Sequence, residues 1–164
     1  MTLRFGLLTA SDRAARGERA DLSGPALEEL ITDLGWIVVC KAVVADDLEA
    51  ISRTLSTWAD GGELDVILTS GGTGFAPRDV TPEATRSIVD REAPGLAEAM
   101  RQESLKVTPH AMLSRSTAGM RGRVLIVNLP GSPKAAVENF QIIRPVLPHA
   151  VELLREDHDA DKHH

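Results

Sequence analysis

The residues best suited to chemistry lie in the stretch TSGGTGFAPRDVTPEAT, residues 69–85. Gly71, Gly72 and Gly74 lack a Cβ, so the backbone there can adopt positive φ and approach a bound molecule closely. Successive backbone N–H groups in such a turn form a concave site for an anion, and Thr73 adds a hydroxyl. We therefore interpret this loop as a candidate site for nucleotide phosphates.

Two common phosphate-binding motifs do not fit this loop. A Walker A loop ends in Gly-Lys-Ser/Thr, whereas Gly74 is followed by Phe75. The dinucleotide-binding fingerprint requires a glycine at its last position, and Pro77 occupies that position here. A tight turn between a strand and a helix, without any ligand, therefore remains an alternative explanation of the loop.

A second glycine-containing stretch, NLPGSPKA, begins at Asn128, which ends an apolar run. Gly131 allows close backbone approach, and Ser132 and Lys134 offer a hydroxyl and a cation. An ordinary helix start explains the same residues, with Ser132 as the N-cap and Pro133 at the first helical position. Both interpretations can hold together.

Two acidic residues are candidates for a metal site. Asp79 lies in the glycine loop, and Asp46 follows another apolar run. Magnesium prefers oxygen ligands and commonly joins one or two carboxylates to the phosphates of a substrate. From the residues alone, the N-cap of the next helix explains Asp46 better than a metal site does, and the neighbouring Asp47 is an equal candidate for either role.

Short apolar segments alternate with amphipathic segments along the chain, a pattern that predicts an α/β fold. Strands are predicted at residues 3–9, 36–44, 65–70 and 123–131. Helices are predicted at residues 23–34, with Ser23 as N-cap, and at 48–58, 95–105, 135–140 and 146–154, with another beginning at Thr81. The polar stretch DRAARGERADLSG between the first strand and the first helix is expected to be a loop.

Alternating strands and helices indicate a mainly parallel sheet covered on both faces. Ligands of such open sheets bind at the carboxyl ends of the strands. The loops after Thr9, Ser70 and Asn128 are therefore expected to face one crevice.

The 164 residues predict one domain, residues 1–155, followed by a polar tail at 156–164. The net charge of −6 argues against nucleic acid as a partner, and 3% aromatic residues provide few surfaces for stacking bases. No targeting segment and no apolar run of membrane-spanning length is visible, so no membrane contact is expected.

The chain has one cysteine, Cys40, which lies in an apolar run and is expected to be a buried core residue. A single cysteine cannot form an internal disulfide, which indicates a reducing compartment and a cytoplasmic location.

Taken together, these stretches resemble the molybdopterin adenylyltransferase family, which includes bacterial MogA-type proteins and the G domains of gephyrin and of the plant molybdenum-insertion protein. The matching pieces are LTASDRAARG, VVADDLEAI, ILTSGGTGFAPRDVTPEAT, MRQESLKVTPHAMLSR and VLIVNLPGSPKA. They keep the family order and cover nearly the whole chain. The resemblance implies a three-layer α/β/α sandwich of the MoaB/Mog type, with a mainly parallel central sheet, assembled as a homotrimer.

The resemblance also implies a reaction, the Mg²⁺-dependent transfer of AMP from ATP to the terminal phosphate of molybdopterin with release of pyrophosphate. The product would pass to molybdate insertion, which makes the molybdate-insertion protein an implied partner. The family's two essential aspartates match Asp79 and, in a turn that reads AD where relatives have PD, Asp46 rather than Asp47. Both are implied to be catalytic and to bind the metal.

The resemblance assigns further residues to two ligand sites. The nucleotide side matches Gly71, Gly72, Thr73, Gly74, Gly131, Ser132 and Lys134. The pterin side matches Ser11, Asp12, Ser104, Ser114, Arg115 and Asn128.

Two other functions on the same fold remain open at this point. One is a non-catalytic pterin-binding or scaffold protein, and the other is a nucleotide pyrophosphatase. Asp46 and Asp79 are both present, which favours an enzyme over a scaffold. The serines on the pterin side argue against a pyrophosphatase.

Overall fold

The computed structural model describes residues 1–156, so the predicted tail at 156–164 lies outside it except for Glu156. The strands are β1 (Arg4–Ala10), β2 (Ile37–Val44), β3 (Val66–Ser70), β4 (Arg91–Glu92), β5 (Ala118–Arg121) and β6 (Val124–Leu129). The helices are α1 (Asp12–Ala15), α2 (Ser23–Asp33), α3 (Leu48–Asp60), α4 (Thr81–Ile88), α5 (Pro94–Leu105), α6 (Pro133–Ile143) and α7 (Leu147–Leu154). Short 3₁₀ turns occupy Pro109–Leu113 and Arg144–Val146.

The six strands form one sheet in the order β2-β1-β3-β6-β5-β4. Strands β2, β1, β3 and β6 are parallel, which confirms the prediction of a mainly parallel sheet, and β5 and β4 run antiparallel at one edge. The two antiparallel strands were not predicted, because β4 has only two residues and β5 reads AGMR, without an apolar run. The four parallel strands bring their carboxyl ends to one edge of the molecule.

Helices cover both faces of the sheet, because successive side chains of each strand point to opposite sides. Leu7 packs into a core cluster with α2, α5, α6 and α7, whereas Leu8 packs into a second cluster with α3 and α4. This arrangement confirms the three-layer α/β/α sandwich. None of the helices within residues 1–156 has the length and apolar character needed to cross a bilayer.

The predictions for the segment after β1 and for Cys40 were wrong. The polar stretch after β1 contains the short helix α1, whose N-terminus is capped by Ser11 Oγ accepting from Ala14 N at 3.2 Å. Cys40 is half-buried rather than buried, because β2 is an edge strand whose side chains alternate between half-buried and exposed.

The cap of α3 resolves the choice between the two neighbouring aspartates. The carboxylate of Asp47 accepts a hydrogen bond from Ala50 N at 2.8 Å, so Asp47 is the N-cap and Asp46 is not needed for that role. At α6 the predicted cap is confirmed, because Ser132 Oγ accepts from Ala135 N at 3.2 Å.

The predicted cap of α2 was wrong. Asp21 Oδ1, rather than Ser23, accepts from a first-turn amide, Gly24 N, at 3.2 Å. The Ser23 hydroxyl instead donates to the carbonyl oxygen of Gly131 at 2.7 Å. This bond ties the start of α2 to the loop that follows β6.

The buried acid Asp65 stabilises the other end of the sheet, where β1 and β3 begin. Its carboxylate accepts from Arg4 N at 2.8 Å and from Arg155 Nη2 at 2.6 Å, and only 3% of the residue is exposed. Burial alone would raise the pKa of Asp65, but the hydrogen bonds from Arg155 and Arg4 outweigh it and lower the pKa below its ordinary value of 3.8.

Replacing Asp65 by asparagine is therefore expected to reduce the free energy of unfolding at pH 7 by about 2 kcal/mol, the scale of hydrogen bonds to charged groups. A lowered pKa in the folded state stabilises the fold above the unfolded pKa, and this contribution is lost as the pH falls through the folded pKa. The difference between the wild type and Asp65→Asn, measured by urea unfolding, should therefore narrow below about pH 4. The exposed Asp33→Asn is the control and should show no such difference; an Asp65→Asn variant as stable as the wild type at pH 7 would contradict this account.

Candidate active site at the carboxyl ends of the strands

A polar cavity of about 270 Å³ lies where the carboxyl ends of β1, β2, β3 and β6 meet. The loops after these four strands supply most of its walls, as expected for an open α/β sheet. The residues assigned to ligands from the sequence that line it are Ser11, Asp46, Gly71, Gly72, Asp79, Gly131 and Ser132. The structure thus brings both candidate catalytic aspartates to one cavity.

The glycines of this cavity are required because neighbouring backbone or side-chain atoms lie where a Cβ would be. Gly71 has φ 92°, and a Cβ there would lie 2.3 Å from the carbonyl oxygen of Ala10. Gly72 has φ 67°, and a Cβ there would lie 2.4 Å from Thr81 Oγ1. A Cβ on Gly131 would lie 3.2 Å from the Cα of Gly71. Any larger residue at Gly71 or Gly72 would therefore displace the walls of the cavity.

Asp46 is held in position by a reciprocal pair of hydrogen bonds with Asp12. Asp12 N donates to Asp46 Oδ2 at 3.0 Å, and Asp46 N donates to Asp12 Oδ1 at 3.0 Å. The guanidinium of Arg78 binds both carboxylate oxygens of Asp12, each at 3.0 Å. Asp46 Oδ1 is buried and has no hydrogen-bond partner within residues 1–156.

Asp12, Asp46, Asp79 and Arg78 form a charged cluster, in which the pKa values of Asp46 and Asp12 shift in opposite directions. Burial raises the pKa of Asp46, and the negative charges of Asp12 and Asp79 raise it further. The hydrogen bond from Arg78 lowers the pKa of Asp12. Asp79 Oδ2 accepts from Ala76 N at 3.0 Å, which fixes the carboxylate within its own loop. The cluster therefore carries more negative charge than Arg78 neutralises, and a cation would stabilise it.

Arg115 braces the glycine loop. Its backbone N donates to Thr73 O at 2.8 Å, its Nε to Gly74 O at 2.7 Å and its Nη2 to Asp79 O at 2.7 Å. The same guanidinium forms an ion pair with Glu83. These bonds connect the glycine loop to the backbone of Asp79. Arg115 therefore has a positioning role in this structure.

A second cavity, of about 290 Å³, is lined by the second half of the glycine loop, whereas the first half lines the first cavity. Its lining includes Thr73, Gly74, Ser104 and Ser114 from the sequence-based assignment. The apolar part of the lining consists of Val107, Ala111, Leu113, Pro130 and Ala135. Ser104 and Ser114 thus lie together as expected, whereas Thr73 and Gly74 face this cavity instead of the first.

Asn128 lies apart from both cavities in the described part of the chain. It is fully buried, its Nδ2 donates to Thr69 Oγ1 at 3.0 Å and to Thr85 Oγ1 at 2.9 Å, and its Oδ1 accepts from Thr117 N at 3.2 Å. These three bonds join β3, β6, α4 and the start of β5. The geometry therefore gives Asn128 a structural role, and it offers no polar atom to a pterin.

Four other assigned residues also lie away from their expected places. Arg115 is not among the residues found to line the second cavity within residues 1–156, and it instead bonds to the glycine loop. The side chain of Lys134 is 83% exposed and pairs with Glu138 at 3.9 Å, outside the lining found for either cavity within residues 1–156. Ser11 and Asp12 lie beside Asp46 at the first cavity rather than with the serines of the second.

Sequence reasoning missed Asp21 and Arg19, which also line the first cavity. Asp21 Oδ2 accepts from the hydroxyl of Thr9 at 3.1 Å, so this carboxylate faces the end of β1. Both residues belong to the stretch expected to be a loop. An available signal was the position of Asp21 directly before the helix-forming pattern, where a capping acid is common.

Comparison with known proteins places the chain in a family. The family described as "Probable molybdopterin binding domain" matches residues 6–149. Molybdopterin adenylyltransferase of Helicobacter pylori strain J99 is 42% identical over 155 residues, which cover 93% of this chain and 88% of that protein. The molybdenum cofactor synthesis protein cinnamon of Drosophila melanogaster is 48% identical over 157 residues, which cover 95% of this chain but only 26% of that longer protein.

Solved structures give the same result. The crystal structure of the molybdopterin biosynthesis enzyme MoaB from Thermus thermophilus matches with a TM-score of 0.88 at 52% identity, covering 93% of this chain and 96% of that one. The matched residues 6–149 contain both cavities and all the assigned site residues. The chain therefore belongs to the molybdopterin-binding domain family of molybdenum cofactor biosynthesis, as its glycine loop and its NLPGSPKA stretch indicated.

Proposed function

We propose that the chain is a molybdopterin adenylyltransferase, which transfers AMP from ATP to the terminal phosphate of molybdopterin and releases pyrophosphate. The observation that carries the proposal is the position of the loop at residues 71–74, which lines a polar cavity with its first half and an apolar cavity with its second. Two substrates bound on either side of this loop would meet beside Asp79. Relatives with this name at 42–43% identity support the proposal.

The first cavity suits the nucleotide. Helices α2 and α6 begin at its wall, with Ser23, Ser132 and Pro133 in the lining. The N-terminus of a helix favours anions because its first N–H groups have no partners within the helix. Gly24 N, Ala135 N and Gly71 N already donate to Asp21, Ser132 and Leu129, so the two helix ends would attract the phosphates mainly through their dipoles.

The second cavity suits the pterin. Its apolar lining can cover a flat ring, while Ser104 and Ser114 supply hydroxyls at its wall. Arg101, whose Nη1 donates to Ser116 O at 2.8 Å, adds positive charge to the same cavity. Neutral and cationic donors of this kind would bind the polar edge of a pterin and its phosphate.

The residues present fit a magnesium ion. Asp46 Oδ1 is a buried carboxylate oxygen without a partner in residues 1–156, and Asp79 lines the same cavity. Among the described residues no three acids, histidines or cysteines gather into a metal cage, but Mg²⁺ is commonly held by one or two carboxylates and substrate phosphates. When bound, Mg²⁺ neutralises charge on the ATP phosphates.

The chain's own residues then act by positioning. A terminal phosphate oxygen of molybdopterin attacks the α-phosphorus of ATP, and the bond from the α-phosphorus to the bridging oxygen breaks, so the electron pair leaves with pyrophosphate. Because the attacking phosphate is already ionised at neutral pH, no side-chain base is required. The backbone of Gly71 and Gly72 would fix the nucleotide, and Arg19, which lines the cavity, would attract the anions.

Formation of adenylyl-molybdopterin tests this proposal. The protein is incubated with molybdopterin and ATP, with Mg²⁺ or with a chelator, and the product is separated by chromatography. We expect adenylylated pterin and pyrophosphate only when Mg²⁺ is present. Pyrophosphate without adenylylated pterin would support the nucleotide pyrophosphatase, and pterin binding without turnover would support the scaffold.

We also propose that the protein assembles as a homotrimer. Edge strand β2 exposes apolar side chains on alternate positions, with Ile37 51% exposed, Val39 41% and Val43 38%. Exposed apolar edge strands are ordinarily covered by a partner. Light scattering at micromolar concentration should give three times the mass of the chain, whereas a monomer mass would rule out the assembly.

Two further features of the cellular role are proposed, a partner from the reaction and a location from the single cysteine. The adenylylated product would be consumed by a molybdate-insertion protein, which makes that protein the proposed partner. Cys40 is a free thiol, which supports a reducing cytoplasmic location.

A further inference from the structure

Two buried oxygen atoms beside the first cavity lack hydrogen-bond partners within residues 1–156: Asp46 Oδ1 and Thr81 Oγ1. Thr81 is fully buried, with 0% of its surface exposed. A buried hydroxyl or carboxylate oxygen without a partner is costly and is rare in folded proteins. Two such atoms at one place indicate that something else completes their coordination.

Both oxygens border the same point in space. A Cβ built on Gly72 would lie 2.4 Å from Thr81 Oγ1 and 3.1 Å from Asp46 Oδ1. Both oxygens therefore lie close to the backbone of Gly72, which itself lines the first cavity. Thr81 N donates to Gly72 O at 3.1 Å, which fixes the hydroxyl relative to the glycine loop.

Two other hydroxyls, those of Ser11 and Thr9, line the first cavity and are already hydrogen-bonded. Ser11 Oγ accepts from Ala14 N at 3.2 Å, and Thr9 Oγ1 bonds to Asp21 at 3.1 Å. Thr81 is also the first residue of α4, so its backbone is held by the helix. It is therefore the hydroxyl best placed to act together with Asp46.

We propose that the Thr81 hydroxyl is a third oxygen ligand, beside Asp46 and Asp79, for the divalent cation that accompanies ATP. The inference rests on the proposed function, because that function supplies the cation. Oxygen donors are the ligands that Mg²⁺ prefers, and a threonine or serine hydroxyl contacts Mg²⁺ in phosphate-binding loops of other folds. A water molecule that only bridges the two oxygens is the competing explanation.

Thr85 provides a matched control on the same helix. It is also fully buried, but its Oγ1 accepts from Asn128 Nδ2 at 2.9 Å. Valine has the shape of threonine without the hydroxyl. Thr85→Val therefore breaks a hydrogen bond, whereas Thr81→Val removes a hydroxyl that has no partner in the described chain.

The test is a titration of Mn²⁺ into the full-length protein with α,β-methylene-ATP, whose α–β linkage resists cleavage, read by electron paramagnetic resonance. Thr81→Val should lower Mn²⁺ affinity at least about tenfold, as loss of supporting groups does at other metal sites. Thr81→Ser, which keeps the hydroxyl, should bind Mn²⁺ within about twofold of the wild type by the same reasoning. Thr85→Val should bind Mn²⁺ like the wild type but unfold at a lower urea concentration.

Other outcomes separate the inference from the proposed function. If Thr81→Val binds Mn²⁺ like the wild type while Asp46→Asn does not, the cation site stands and the role of Thr81 is wrong. If Asp46→Asn also binds normally, the cation site itself is wrong. A bridging water alone would make Thr81→Val less stable without metal and leave Mn²⁺ affinity unchanged, which also overturns the inference. If Thr81→Val does not fold, the Mn²⁺ titration is done with Thr81→Ala, for which the same results are expected.

Discussion

Replacing Asp46 by asparagine is expected to lower adenylyl transfer at least about a hundredfold, the usual effect of removing one preorganised electrostatic group. Asparagine keeps the shape of the side chain, and its Oδ1 can still accept from Asp12 N, as Asp46 Oδ2 does at 3.0 Å. What it loses is the charge at a buried oxygen that has no partner in residues 1–156. The measurement is the initial rate of adenylyl-molybdopterin formation, with circular dichroism to verify the fold.

The neighbouring Asp47 supplies the control for this experiment. Asp47 is exposed and caps α3 by accepting from Ala50 N at 2.8 Å. Asparagine is as good an N-cap as aspartate, so Asp47→Asn should retain full activity and stability. The two variants differ by one position in the chain and remove the same charge, so any difference between them comes from the site.

Binding measurements on Asp46→Asn test whether Asp46 is a ligand of the metal. Calorimetric titration should show molybdopterin binding retained and Mg²⁺-dependent ATP binding lost, because Asp46 is not among the residues that line the proposed pterin cavity. Turnover at the wild-type rate would contradict the metal assignment. If molybdopterin and ATP binding both collapse, Asp46 is an anchor for the loops rather than a ligand.

Substituting alanine for Gly71 is expected to damage both stability and activity. The new Cβ would lie 2.3 Å from the carbonyl oxygen of Ala10, and φ at this position is 92°. Because the clashing atom is backbone, the end of β1 must move. We expect a loss of about 3 kcal/mol in the free energy of unfolding, from backbone strain and overpacking together. Displacement of this wall by about 1 Å should also lower turnover about a hundredfold.

Gly62→Ala is the control that separates the effect of backbone strain from the effect of moving the cavity wall. It has φ 78°, similar to Gly71, but a Cβ there meets nothing within 4 Å in the described chain, and it lies at the opposite end of the sheet. Gly62→Ala should therefore cost only about 1 kcal/mol, from left-handed backbone strain, and leave turnover unchanged. Urea unfolding and initial rates should be measured on both variants. Equal losses of stability and equal turnover for Gly62→Ala and Gly71→Ala would contradict the close-packing argument.

The main framework of the fold could be predicted because it depends on local patterns. The apolar runs at β1, β2, β3 and β6 and the helical spacing of the segments between them identify a parallel sheet with helices on both faces. Strand β5 could not be identified in this way, since AGMR has little apolar character and pairs only because β6 lies beside it. Its formation depends on tertiary contacts that no local pattern encodes.

The site was only partly predictable for a related reason. Residue types indicated that Asp46 and Asp79 are candidates, but both Asp46 and Asp47 fit the helix cap until the hydrogen bond of Asp47 to Ala50 was visible. Likewise, a polar Asn128 at a strand end looks like a ligand residue in the sequence. Only the three-dimensional arrangement shows that its amide is saturated by the threonines around it.

The central claim is that Asp46 and Asp79 serve the transfer of an intact adenylyl group between two substrates bound on either side of one loop. The most direct test is to supply ATP labelled at the α-phosphate, together with molybdopterin and Mg²⁺, and to follow the label and pyrophosphate over time. We predict one labelled adenylyl-molybdopterin for each pyrophosphate released by the wild type, and neither product from the Asp46→Asn, Asp79→Asn double variant. Label that appears only as free AMP, or equal transfer by the double variant, would contradict the account.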